Sequence, residues 1–239
     1  MRETRKALQA AVVALAPLAL LGVFLWHPFL PGRLPNEAAI AAAVVADPIR
    51  WGLSHLFTGV ASGLLVLAFL AVRSYLREAG EDRWSGLGVP FIVMGSMLFT
   101  LLPGMEFAPL AAAEAGGDPG AAQAALGSWF VSTLMAGAVT FAVGVLSFAR
   151  GLAVSRVLSP GLTGLLVVAL LVMAASRFVP LAAVQFYVQG MAAILALWPL
   201  AYATGRQSSE GRAGQPRQPR QPRPMPAGPP PVNPWLTGH

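Results

Sequence analysis

Apolar positions in this chain fall into six long blocks separated by short polar segments. The blocks lie at about 8–30, 51–72, 86–108, 126–149, 160–181 and 183–204. Unbroken apolar runs of ~18 residues or more mark transmembrane helices. Each block can cross a hydrocarbon core of ~30 Å at ~1.5 Å per residue. The pattern predicts an all-α polytopic membrane protein, with a six-helix transmembrane bundle over 1–204. Blocks five and six meet at "SRFVPLAAVQ", where Pro180 cannot continue a hydrogen-bonded helix. The first block outruns a signal-peptide core of ~7–15 residues, and "LWHPFLPG" offers no small-residue cleavage site, so retention as an anchor is expected.

The connecting segments carry their own signals. "NEAAIAAAVVAD" predicts a short helix capped by Asn36, and Asp47 followed by Pro48 starts block two. The stretch 109–125, with "GGDPG", predicts a turn-rich loop. Beyond 204 the apolar pattern stops. Residues 205–239 include "QPRQPRQPR", three triplets from Gln215 to Arg223. Such a segment cannot build a packed core and predicts a disordered tail with polyproline-II character. Its arginines suit anionic lipid headgroups. Its spacings Pro216–Pro219 and Pro219–Pro222 suit a proline-recognising partner.

Composition sharpens this picture. Charged residues make up 11% of the chain, against about 25% in ordinary soluble domains, so the core must be completed by the lipid bilayer. The absence of cysteine excludes disulfides, thiolate metal sites and thiol catalysis. The tail's five arginines against Glu210 contribute +4 of the formal +6, leaving +2 for the rest. The basic balance therefore implies no nucleic-acid partner. Lys and Arg concentrate at the N-terminus, in the 2–3 and 4–5 connections and in the tail, whereas 109–125 has neither. Arg33 and Arg50 in the 1–2 connection run against the trend. The asymmetry predicts that both termini are cytoplasmic.

Small and hydroxyl residues mark the faces turned into the bundle. Block four carries Thr133, Gly137, Thr140, Gly144 and Ser147 at helical spacing, and block two carries His55, Gly59, Ser62 and Gly63. Small residues let helices approach, and hydroxyls can bond across to a neighbour. Block six shows Gln185, Gln189, Ala192, Ala196 and Pro199 at similar spacing. Pro17, Pro90 and Pro199 are expected kink sites.

Chemistry concentrates at one depth. In an alternating bundle, His27, His55, Glu106, Arg177, Gln185 and Gln189 all fall near the outer end of five blocks. The plain explanation is an interfacial layer beside a belt of Trp26, Trp51 and Trp129, with Glu106 and Arg177 paired. The sharper one is a site. Glu106, Arg177, Gln185 and Gln189 would bind a small ligand, with Arg177 as the anion partner. His27 and His55 would hold a metal ion with Glu106 as a third ligand, or ligate a b-type haem. No cofactor is required by the sequence. Enzyme signatures are missing: there is neither a His-Glu-x-x-His motif nor a phosphate-binding loop, and Ser62 lies two turns from His55. The expectation is a non-enzymatic membrane protein with a polar pocket. The rival expectations are a metal- or haem-binding redox subunit and a solute or lipid transporter.

The first block, the Ala-rich connecting helix and "ADPIRWGLSHLFTGVASGLLVLAFLAVRSYLRE" together resemble a family of uncharacterised six-span bacterial integral membrane proteins with a domain of unknown function. The resemblance covers about 8–204. It implies six helices in a bacterial cytoplasmic membrane and carries no catalytic or cofactor residues with it.

Overall fold

The structure, a computed structural model, describes residues 2–213. Eight helices follow in order: α1 (Arg2–Trp26), α2 (Glu37–Ala46), α3 (Pro48–Glu78), α4 (Arg83–Met105), α5 (Phe107–Glu114), α6 (Pro119–Ser155), α7 (Pro160–Ala175) and α8 (Gln189–Ala213). A 3-10 turn (Ser176–Phe178) and a π-helical turn (Ala183–Val188) join α7 to α8. No strand occurs among the described residues; Arg33 and Leu181 form one isolated antiparallel bridge. Six stretches are long and apolar enough to cross a membrane: Glu3–Trp26, Pro48–Glu78, Arg83–Glu114, Pro119–Ser155, Pro160–Phe178 and Ala183–Arg206. The chain is an all-α polytopic membrane protein.

The spanning helices close into a ring. α1 packs on α3, α3 on α4, α4 on α6, α6 on α7, α7 on α8, and α8 back on α1. Their inward faces share one core that includes Leu20, Leu65, Phe69, Phe141, Phe148, Met173 and Leu197. Their outward faces leave Leu15, Leu67, Met97, Val168 and Leu195 exposed. On a soluble protein such a surface would favour association; in lipid it is the solvent-facing side.

Caps start the helices where the sequence places them. The Asn36 side chain accepts from Ala39 N at 3.1 Å, and Asp47 accepts from Arg50 N at 2.9 Å ahead of Pro48. The 109–125 region differs from the expected turn-rich loop. It is mostly helical, with α5 running to Glu114 and α6 starting at Pro119 behind an Asp118 cap. Only residues 115–118, around the Gly116–Gly117 turn, separate them, since Asp-Pro is a good helix start. Helix α8 also runs past 204 to Ala213. The rest of the expected tail, with its lipid-headgroup and proline-recognition motifs, lies outside the described residues.

The packing stripes are met in part. Gly137 and Gly144 are buried against α4, and Gly59 approaches Thr100. Ser147 is buried too, but its hydroxyl donates to Val143 O in its own helix, at 2.9 Å. Thr133 and Thr140 are only half-buried. Gly63 is exposed, with open space where a Cβ would stand, so it faces out of the bundle rather than into it. The partners of the α6 glycines are Gly88 and Gly95 on α4. A Cβ on Gly95 would stand 2.6 Å from Phe141 N, and one on Gly144 would stand 2.8 Å from Ile92 N. Backbone therefore meets backbone along this part of the seam.

One end of the ring is covered. α2 and α5 pack against each other and against α6. Leu30, Ile40, Val44, Trp51 and Ala182 form a small second core there. The backbone bond from Leu34 N to Pro180 O, 2.9 Å, ties the 27–36 segment to the α7–α8 connection. The opposite end carries the ion pairs Lys6–Glu78 (2.8 Å) and Arg73–Asp82 (3.0 Å).

Candidate functional site

Beneath the cap lies a cavity of about 70 Å³. Its polar lining is His27, His55, Thr58, Glu106 and Gln185; its apolar walls include Phe24, Phe99, Leu102, Leu134 and Phe186. His27, His55, Glu106 and Gln185 are each at most 7% exposed. Four of the six residues expected to share a depth thus share one cavity. Arg177 and Gln189 do not line it.

Each wall follows from local sequence. α1 ends at Trp26, and His27 precedes Pro28; the residue before a proline is turned away from helical geometry. His27 thereby swings its Nδ1 to 2.7 Å from Pro28 O. His55 lies two turns into α3, with Nδ1 at 2.7 Å from Trp51 O. Ser54 Oγ also donates to Trp51 O, at 2.9 Å, so the serine proton is committed to the backbone. The two histidines meet edge to edge, Nε2 to Nε2 at 3.3 Å, with ring centroids 4.8 Å apart. Trp51 and Phe186 flank them, at 4.4 Å from the His55 ring and 5.0 Å from the His27 ring.

The tautomers follow from these contacts. A carbonyl oxygen only accepts, so each Nδ1 facing one carries the ring hydrogen. In the neutral rings both Nε2 atoms then carry bare lone pairs, 3.3 Å apart.

Glu106 sits at the break between α4 and α5. Its carbonyl accepts from the Trp51 indole at 3.0 Å. Its Oε1 accepts from Gln123 Nε2 at 3.2 Å, while Oε2 is buried with no hydrogen-bond partner. Gln123, on the first turns of α6, was hidden from sequence reasoning because the turn-rich loop was expected to cover it. The helix start at Asp118-Pro119 was the signal that could have placed it.

Two expected arrangements are corrected. Glu106 and Arg177 form no ion pair; the Glu106 carboxylate accepts from Gln123 instead. Arg177 is 1% exposed, with its guanidinium carbon 3.6 Å from the centroid of Phe141 and 4.1 Å from that of Phe99. Aromatic faces stand where an anion was expected. Its Nε and Nη1 have no hydrogen-bond partners. Trp51 is likewise no belt residue: it is fully buried, whereas Trp26 and Trp129 are exposed. Gln185 donates to Arg177 O at 3.3 Å, and both side-chain polar atoms of Gln189 are buried without partners.

The two cofactor classes fare differently. Axial ligands of one haem iron stand on opposite sides, ~4 Å apart at ~2 Å per bond. The 3.3 Å separation of the two Nε2 atoms does not fit an iron lying between the rings. A smaller ion off the Nε2–Nε2 line is compatible. No group of three or more His, Cys, Asp or Glu side chains has metal-binding geometry among the described residues, so Glu106 is not brought in as a third ligand. No protein-family model matches the chain, and no curated protein or solved structure matches it significantly.

Proposed function

We propose that this chain is a non-enzymatic multi-pass membrane protein whose covered end binds a small polar ligand or ion. The supporting observation is the convergence of His27, His55, Glu106 and Gln185 on one mostly apolar cavity. Size favours a small occupant. Pockets for drug-sized molecules enclose about 300–1,000 Å³. A cavity of about 70 Å³ suits an ion with a few waters rather than a lipid or a large solute.

The orientation belongs to the same proposal. Arg5, Lys6, Arg73, Arg77, Arg83, Arg150 and Arg156 lie at the end away from the cavity; Arg33 and Arg50 lie at the cavity end. The positive-inside rule then puts the cavity on the non-cytoplasmic side. A bacterial cytoplasmic membrane, and kinship with the uncharacterised six-span proteins, complete the reading.

Native mass spectrometry of protein released directly from membranes tests it. A bound small mass should accompany the wild-type chain and be lost in Thr58→Leu, which narrows the cavity while replacing neither histidine. Thr58→Leu must first melt like wild type. Identical spectra for the two proteins overturn the reading.

A further inference from the structure

The facing Nε2 atoms pose a physical problem. Two lone pairs 3.3 Å apart inside a buried site repel, yet each ring is held in place by its own backbone carbonyl. An arrangement that holds two imidazole lone pairs this close is stabilised by a cation shared between them. We infer that His27 and His55 bind a zinc-like divalent transition-metal ion between their Nε2 atoms, a step that rests on the cavity reading above.

The geometry specifies the ion's coordination. Two nitrogens 3.3 Å apart subtend about 107° at a metal ~2.05 Å from each, close to the tetrahedral angle. The same arrangement sets the ring centroids ~5 Å apart, against 4.8 Å found. Linear two-coordination requires nitrogens nearly opposite each other and is excluded by the spacing. Imidazole nitrogen suits zinc, copper, nickel and iron over magnesium or calcium, which prefer oxygen.

The surroundings match an ion site as well. Each ligating ring donates its other nitrogen's hydrogen to a backbone carbonyl, the outer-shell arrangement that orients metal-binding histidines. The remaining coordination positions open onto the cavity and are left for water. Glu106 and Gln185 line that space, and Glu106 Oε2 is buried with no protein partner. A carboxylate oxygen there accepts from metal-bound water and offsets part of the ion's charge. A site with two protein ligands and open positions is an exchangeable site, unlike closed structural zinc sites.

Cobalt(II) tests this on the full-length chain in detergent, stripped with chelator. The expected result is one Co²⁺ per chain with the intense visible absorption of tetrahedral cobalt, displaced by Zn²⁺. His27→Gln and His55→Gln should each weaken Zn²⁺ binding by about 100-fold or more. A measurement on the unmutated protein guards against misfolded variants. X-ray absorption of the Zn²⁺-loaded chain should show two imidazoles and light oxygen donors. Weak octahedral cobalt bands, unchanged binding in the doubly substituted chain, or zinc without imidazole neighbours each overturn the inference. If these fail while Thr58→Leu still abolishes a bound metal-free mass, only the metal assignment falls. If both fail, the cavity reading falls with it.

Discussion

The seam between α4 and α6 has two halves that behave differently. Toward the charged end it is built from glycines. Gly88, Gly95 and Gly144 bring backbone against backbone, and Gly151 leaves room for the Glu81 carboxylate that caps α4 by accepting from Trp84 N and Ser85 N. Toward the covered end the helices carry bulk instead. Phe99, Leu102, Phe130 and Leu134 cluster there and form one wall of the cavity. Gly137 marks the crossover, since a Cβ on it would meet Leu98 and Phe99 at 3.3–3.4 Å. Close backbone approach at one end thus gives way to large side chains at the other, and those side chains help to wall the cavity. The lesson is that one helix pair can be a tight seam in one half and a pocket wall in the other.

Breaking the tight half should have the largest effect. Gly95→Ala puts a methyl 2.6 Å from the Phe141 backbone, and backbone cannot rotate aside. A loss of about 3 kcal/mol is expected, read as a large drop in thermal midpoint in detergent. Full stability would mean the helices do not approach as described. At the covered end, Trp51→Phe on α3 keeps an aromatic ring but removes the indole hydrogen bond to the Glu106 carbonyl. A cost of about 1–2 kcal/mol is expected, with weakened ligand binding because Trp51 also supports the His55 ring. Unchanged melting and binding would show that the Trp51 bond does not hold the cavity wall.

The crossover residue sharpens the contrast. Gly137→Ala should change stability by no more than ~1 kcal/mol in either direction, because its neighbours can give by tenths of an ångström while the helix gains propensity. A loss as large as that of Gly95→Ala would move the crossover toward the cavity. Smallest of all is the charged rim. Arg73→Ala removes the exposed pair with Asp82 and should cost less than ~0.5 kcal/mol, a difference that salt erases. A salt-insensitive loss above that would mean Arg73 supports the fold by another route.

Much of this was legible in the chain. Six apolar blocks specify six helices because hydropathy is a property of each residue and needs no partner. Asn36 and Asp47 announce helix starts because a cap is satisfied within three residues. The glycines of α6 announce an approach, whereas their partners on α4, Gly88 and Gly95, do not stand out, since a spacing of seven is less conspicuous than a dense stripe. The polar layer was visible as a set of residue types at one depth.

What the set does was decided by tertiary structure. Helices that are apolar all round carry little local record of which face turns inward, and rotation about the axis settles who meets whom. That is why Glu106 and Arg177, natural partners by charge, end apart, one against Gln123 and the other between Phe99 and Phe141. It is also why Trp51 is interior and Gly63 is not. The chain determines that two histidines stand near the ends of adjacent helices. Only the closed ring, the cap over its end and the two backbone carbonyls decide that their Nε2 atoms meet.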